Sequence, residues 1–353
     1  MNVWGNSLKL SIFGESHGEA VGVVVDGLPP GEIVDMGLVA RQMARRAPGR
    51  NPLSTARRED DAAEALSGLK DGRTTGAPVC GLIRNRDARP GDYDARLRPG
   101  HADWTALLKY GGHADMRGGG HFSGRLTAPL VFAGALAGQI LARRGVEVYG
   151  RLDAAGGVAE TAAPLTRDEW KAVSGRDFPA SEEAGERMRE ALLAARGDGD
   201  SVGGIVAAAA FGAPGGLGEP FFGSLESAAA SLLFSVPAVK GVEFGAGFAF
   251  AGMRGSEAND EICIEDGAIR SRTNSNGGIL GGITNGMPVL LRAVLKPTPS
   301  IARPQRTVDP VSMTETGLET RGRHDPCVAL RAVPVVEACL ALSLLDCMLA
   351  ASR

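Results

Sequence analysis

Leu8-Lys9-Leu10-Ser11-Ile12-Phe13-Gly14-Glu15-Ser16-His17-Gly18-Glu19-Ala20-Val21-Gly22-Val23-Val24-Val25-Asp26 sets two β-rich runs on either side of a histidine. Residues 8–13 alternate apolar and polar side chains and 22–26 are dominated by valine, so both read as strands. Between them Gly14 and Gly18 permit a sharp turn that presents His17 at a strand end. Histidine titrates near neutrality, so it gives or takes a proton at little cost. A turn histidine bonded only to backbone fits this loop equally well.

Working outward, Asp35 opens a helix that runs to about Arg46 and stops at Pro48-Gly49. Residues 62–69 predict a short helix, 77–83 a strand and 102–110 a helix. A glycine loop at 118–124 precedes an apolar, Ala- and Gly-rich helix over 127–143. Strands follow at 146–152, 202–211, 239–248 and 288–295, and Ser224 caps a helix that ends near Phe234. The charged stretch 164–197 carries two helical patterns expected on the surface. Irregular alternation with hairpin-like pairs predicts an α+β fold, not a regular doubly wound sheet. Nothing resembles a linker, so one integrated domain is expected over residues 1–353.

Composition narrows the function. The 353 residues are 44% hydrophobic and 22% charged, as in a soluble globular protein. A net charge of -3 and 5% aromatic content argue against a nucleic-acid binder or a membrane-surface protein. Five cysteines without metal or disulfide spacing suit a reducing cytoplasm, and neither Cys-x-x-Cys nor His-x-x-x-His suggests a metal. Met1-Asn2-Val3-Trp4 does not begin a signal peptide. The apolar run 333–351 holds Glu337 and Asp346, which favours a buried or subunit-contacting helix over an anchor, and Pro334 suits its first turn.

Anion binding therefore rests on local features. Arg41, Arg45, Arg46 and Arg50, continued by Arg57-Arg58, form a basic segment that reads either as a solvated helix face or as a bidentate anion site. Arg98-Pro99-Gly100-His101-Ala102-Asp103 puts a histidine at a helix start, where free N–H groups favour an anion. Gly118-Gly119-Gly120 before His121 and Ser123, flanked by Arg117 and Arg125, offers amides that can cradle a phosphate. Lys296-Pro297-Thr298-Pro299-Ser300 is an extended loop with a cation and hydroxyls, and Arg323-His324-Asp325-Pro326 sets a carboxylate beside two basic groups. No Walker loop or dinucleotide fingerprint is present.

Together these segments, with Val25-Asp26-Gly27-Leu28-Pro29-Pro30-Gly31, Lys109-Tyr110-Gly111, Gly216-Leu217-Gly218-Glu219-Pro220, Ala238-Val239-Lys240-Gly241-Val242-Glu243 and Gly277-Gly278-Ile279-Leu280-Gly281-Gly282-Ile283, resemble the chorismate synthase family over nearly the whole chain. The resemblance implies a β-α-β sandwich and a lyase. The family converts 5-enolpyruvylshikimate 3-phosphate to chorismate and phosphate by 1,4-anti elimination, the last step of the shikimate pathway to aromatic amino acids. It requires reduced FMN without net redox change, the flavin donating an electron transiently as phosphate leaves. A cytoplasmic homotetramer is implied.

Roles carry over by position. The resemblance makes His17 the proton donor to the departing phosphate and His101 the group that protonates or stabilises reduced flavin. It makes Asp325 the base near flavin N5, oriented by Arg323. Arg46 and Arg125 match substrate-binding arginines. His121, Phe122, Ser123, Ala238, Gly281, Lys296, Pro297, Thr298, Pro299, Ser300 and Arg323 match flavin-binding positions. His113 and His121 stand where the family commonly has arginine, as do Pro52 for arginine, Pro237 for asparagine and Leu126 for glutamate. These departures touch the flavin-phosphate and nicotinamide contacts, so NADPH binding is left open. The stretch 164–197 has no reductase module, which points to an external flavin reductase.

Overall fold

The computed structural model describes residues 2–49, 53, 59–86, 96–161, 166–320 and 325–352. Strands β1 (Val3–Trp4), β2 (Lys9–Gly14) and β3 (Ala20–Asp26) form an antiparallel ladder around the His17 turn. Helix α1 (Met36–Arg46) begins where expected, because the Asp35 carboxylate accepts from Gly37 N at 2.7 Å and Leu38 N at 3.3 Å. Then come β4 (Ala63–Ser67), the short pair β5 (Leu69–Lys70) and β6 (Arg73–Thr74), and β7 (Val79–Arg84). The first sheet has the order β1-β2-β3-β7-β4.

The helix expected over 62–69 is therefore a correction. Ala63 to Ala65 favour a helix by propensity, but pairing with Ile83, Leu82 and Gly81 of β7 overrides it. Gly68 closes the strand at φ +78°, where a Cβ would lie 2.7 Å from Val79 Cα.

Helices α2 (Asp103–Tyr110) and α3 (Thr127–Arg143) lead to β8 (Glu147–Ala155) and β9 (Val158–Ala159). Next are α4 (Arg167–Ser174), α5 (Glu182–Gly197), β10 (Gly204–Phe211), α6 (Leu225–Ser235), β11 (Val239–Phe244) and a single turn, α7 (Gly255–Ala258). Hairpins β12 (Ile262–Glu265) with β13 (Ala268–Ser271), and β14 (Ile279–Leu280) with β15 (Ile283–Thr284), precede β16 (Val289–Leu295). A last hairpin, β17 (Gln305–Asp309) with β18 (Thr314–Leu318), leads into α8 (Ala329–Ala351). The second sheet has the order β11-β16-β10-β8-β9.

The two sheets enclose a helical layer. α3 faces β3 and β7, α8 faces β8 and β10, and the two helices pack on each other with α1 and α6 beside them. One apolar core runs through all of it, from Leu8 to Met348, which is the α+β sandwich the resemblance implied. At the crossing of α3 and α8, a Cβ on Gly134 would come within 2.2 Å of Ala338 Cβ. α8 and the helical stretch Arg117–Arg143 are long and apolar enough to cross a membrane, but 89% of each such window is buried in the protein, as in core helices.

Three details differ from expectation. α8 starts at Ala329, so Pro334 lies inside the helix rather than in its first turn. Strand 239–248 ends at Phe244 and gives way to a 3-10 turn, Gly247–Gly252. The charged stretch 164–197 does form two helices, yet Trp170 covers Ala207 and Ala209 on the second sheet's outer face, and Met188 and Leu192 are fully buried. Buried polar groups on α8 are satisfied. Asp346 accepts from Ser7 N and Leu8 N at 2.7 Å, and Glu337 takes Arg45 Nη1 at 2.5 Å and Nη2 at 2.8 Å.

Candidate active site

The His17 turn and the triple-glycine loop lock together. Ser16 N donates to Gly120 O at 3.0 Å, and His121 Nδ1 lies 2.9 Å from Gly14 O. A carbonyl only accepts, so that imidazole carries its hydrogen on Nδ1. Gly118, Gly119 and Gly120 have φ of 61°, 87° and 52°, which suits glycine and breaks the helical turn. The His17 ring rests on Gly118: a Cβ there would meet His17 Cε1 at 2.0 Å. Asp115 lies beside it, its carboxyl held below the usual range chiefly by the Arg117 hydrogen bond, with His17 adding a smaller attraction.

His101 is fixed by a second pair of loops. Its Nδ1 lies 3.2 Å from Pro99 O and its Nε2 2.7 Å from Ser300 Oγ. Lys296 Nζ donates to Gly100 O at 2.5 Å, and a Cβ on Gly100 would be 2.9 Å from Pro299 Cβ. The expected flavin loop 296–300 thus closes over the His101 loop. Lys296 N donates to Ala238 O at 2.9 Å, and Ala238 has φ +74°, so that position joins the same cluster. At the helix start, Asp103 receives Arg98 Nε at 2.8 Å and Nη2 at 2.7 Å. Burial opposes ionisation of Asp103, but Arg98 outweighs it and holds the carboxyl low.

Asp325 has a partner that sequence reading missed. Arg331 Nη1, in the first turn of α8, donates to Asp325 Oδ2 at 2.6 Å, while its Nε donates to Arg46 O at 3.2 Å. Arg323, His324 and Pro52 lie outside the described residues. The six-residue separation of Asp325 and Arg331 is no standard helical pairing, so only the bend before α8 reveals the contact.

Within the basic segment Arg41 is exposed, Arg45 pairs with Glu337 and Arg46 is buried, while Arg50, Arg57 and Arg58 lie outside the described residues. Arg46 donates to Asp61 Oδ2 at 2.5 Å, Thr127 Oγ1 at 3.1 Å and Gly124 O at 3.0 Å. Arg125 also binds Asp61, and donates to Asn85 Oδ1 at 2.9 Å and Arg84 O at 3.2 Å. Burial, with Arg331 and Arg125 nearby, lowers the Arg46 pKa to about 10 although Asp61 pulls it up. Asp61 is held below the usual carboxylate range, because the two guanidinium groups outweigh its burial.

A chain of contacts joins the three sites. Ser201 Oγ donates to Thr298 O at 2.6 Å, Val202 N donates to Pro326 O at 2.8 Å, and Asp325 connects through Arg331 and Arg46 to the Gly124 carbonyl beside Ser123 and Arg125. Beside this chain lies a cleft of about 430 Å³ lined by Phe13, Glu15, Tyr110, His113, His121 and Phe122 among others. It contains two expected flavin positions but none of His17, His101 and Asp325. Gly281 stands apart. It occupies the β14–β15 turn, at the Leu290 end of β16, while Lys296 leaves the opposite end. Thr298 Oγ1 is buried with no hydrogen-bond partner among the described residues, in the loop expected to hold flavin. Among the described residues, no group of three or more His, Cys, Asp or Glu could hold a metal.

The comparisons with known proteins converge. A family model described as chorismate synthase matches residues 8–349. The chain is 49% identical over 350 residues to the chorismate synthase of Aeropyrum pernix, covering 98% of this chain and 92% of that one. It is 48% identical to that of Thermococcus kodakarensis, covering 98% and 97%, and 44% identical to that of Dehalococcoides mccartyi, covering 99% and 97%. A solved structure described as a crystal structure of chorismate synthase matches with a TM-score of 0.79 at 26% identity, covering 98% of this chain and 93% of that one.

Proposed function

Since this chain belongs to the chorismate synthase family of lyases, we propose that it eliminates phosphate from 5-enolpyruvylshikimate 3-phosphate in the 1,4-anti sense, giving chorismate at the end of the shikimate pathway. The observation that carries the reading is the docking of the His17 turn on the triple-glycine loop, which a chain of contacts joins to the loops that hold His101 and Asp325. Three proton-handling side chains from distant segments are each fixed by neighbours, as an elimination with proton loss and phosphate departure requires.

Reduced FMN fits the donor set: Thr298 Oγ1 is an orphaned buried hydroxyl, Lys296 is a cation beside it in sequence, and His121 and Phe122 line an open cleft. When bound, it supplies transient electron donation to the substrate. The protein's own residues do the rest. His17, with its ring seated on Gly118, gives a proton to the leaving phosphate oxygen, which makes phosphate the better leaving group. His101 holds a proton for the flavin. Asp325, its Oδ2 tied to Arg331, takes the hydrogen lost from the substrate as a proton through its other oxygen. Arg46 and Arg125, already anchored by Asp61, form a rigid cationic wall for the anionic ligand.

The direct test is anaerobic incubation with dithionite-reduced FMN, with and without NADPH. Phosphate release is expected without NADPH, since an outside reductase is proposed as the flavin's source. No release, with a related enzyme active in parallel, would reject the function. His17→Ala should lower turnover by about 10²–10⁴ with flavin affinity little changed.

A homotetramer is part of the same reading. β16 is seven residues long, roughly 20 Å, and separates Gly281 from Lys296, so a second copy is the means of bringing Gly281 to a flavin site. Phe222, Ile262, Ile264 and Ile269 are 99%, 72%, 79% and 77% exposed, as a subunit contact would require. Light scattering should give about four times 36.5 kDa. A monomer would remove this part. The cytoplasm suits a chain whose five cysteines are all free.

A further inference from the structure

We propose that Ser300 is a positioning residue for His101: its hydroxyl fixes which ring nitrogen carries the proton and supports the ring again once it is charged. The inference deepens the proposed function, because it rests on His101 serving reduced flavin. Its geometry stands independently of that assignment.

Both ring nitrogens of His101 are engaged. Nδ1 faces the Pro99 carbonyl at 3.2 Å, which can only accept, so Nδ1 carries hydrogen in every charge state. In the neutral ring Nε2 is therefore the acceptor, and the Ser300 hydroxyl at 2.7 Å is its donor. When His101 takes a proton from solvent on Nε2, that N–H must point at Ser300 Oγ. The hydroxyl then rotates and becomes the acceptor. One proton is gained, no bond between heavy atoms changes, and the ring need not move.

The hydroxyl is well placed to hold this position. Ser300 is 4% exposed, and its loop is latched by Lys296 Nζ on Gly100 O, by Ser201 Oγ on Thr298 O and by Pro299 against Gly100. Among the described residues, charged groups beside the ring include Asp103, Arg98 and Lys296. Asp103 favours the imidazolium, Arg98 neutralises much of that effect through its bidentate pair, and Lys296 opposes it. The Ser300 contact acts directly on Nε2. Hydrogen bonds to charged groups are stronger than neutral ones by about one pH unit's worth of free energy or less, so Ser300 raises the proton affinity of His101.

The test is acylation of histidine by diethylpyrocarbonate, followed at His101 by peptide mass spectrometry across pH, with His113 as internal standard. This readout needs neither flavin nor substrate. In Ser300→Ala, His101 should react about 2- to 10-fold faster, because Nε2 loses its donor, and the midpoint of its pH dependence should fall by about 0.5–1 unit. Ser300→Thr should restore both. In the anaerobic assay, the acidic limb of the kcat profile should shift in the same direction with KM little changed. Unaltered rate and midpoint at His101 in a folded Ser300→Ala protein would overturn the proposal. Should that variant not fold, Ser300→Cys keeps the volume with a weaker hydrogen bond, and the same two readouts decide. Altered acylation without chorismate formation by wild type would keep the positioning role and reject the function instead.

Discussion

Two adjacent glycines separate backbone strain from displacement of the first histidine. Gly118 and Gly119 have φ of +61° and +87°, so alanine at either is strained by about 1–2 kcal/mol. What the new methyl meets is different. At Gly119 the nearest atom is Ser123 Cβ at 3.5 Å, an ordinary contact. At Gly118 it is His17 Cε1 at 2.0 Å, so the imidazole must retreat by roughly 1.5 Å to reach normal carbon separation. A displacement of about 1 Å at a reacting group can cost about 10²-fold in rate.

Both variants should lose stability in urea unfolding, Gly118→Ala at least as much as Gly119→Ala because of the added clash, but only Gly118→Ala should lose about 10² in phosphate release. The difference between the variants reports the ring position alone. Equal activity in the two would refute the claim that Gly118 seats His17. So would a Gly118→Ala structure with the ring unmoved and turnover lost.

Asp61 offers a pH-dependent test. Arg46 and Arg125 hold its carboxyl below the unfolded value, so its contribution is complete above about pH 3.9 and is lost as pH falls through the lower folded value. The urea midpoint should be level from about pH 7 to 5 and drop below about pH 4, and Asp61→Asn should reduce that drop. At neutral pH the same variant should cost about 3–5 kcal/mol, since two buried guanidinium groups lose their shared partner. A cost below about 1 kcal/mol would show that Asp61 is not what balances them. Gly134→Val should destabilise by about 1–3 kcal/mol, because its side chain enters the space of Ala338, with an unchanged pH profile for turnover.

What the sequence revealed were features written in consecutive residues. The valines of β3, the Asp35 cap of α1, the Ser224 cap of α6 and the bounds of α3 depend on local pattern and were legible. β4 was not, because Ala-Glu-Ala carries helical propensity and becomes a strand only beside β7. The β12–β13 and β17–β18 hairpins are short, largely exposed ladders without a buried face to impress a pattern. At the site, the loops could be found one by one from glycine, histidine and arginine. Their pairing could not. Ser300 lies 199 positions from His101, and Glu337 lies 292 from Arg45. Each such contact is a property of the closed sandwich.

The same closure bears on the proposed anion-binding role of the arginines in a protein of net charge -3. An exposed cationic cluster would attract anions indiscriminately, and long side chains would lose rotamer freedom on binding. Here Asp61 holds Arg46 and Arg125 in place, and Asp325 holds Arg331 against the Arg46 carbonyl. Their charges are largely offset before any ligand arrives, so long-range attraction is weak, but their geometry is fixed. Lys296 differs, since its ammonium is held by a carbonyl, Gly100 O. On the proposed reading, an anion reaching these guanidinium groups would gain from position more than from net field, because shared carboxylates keep them aligned.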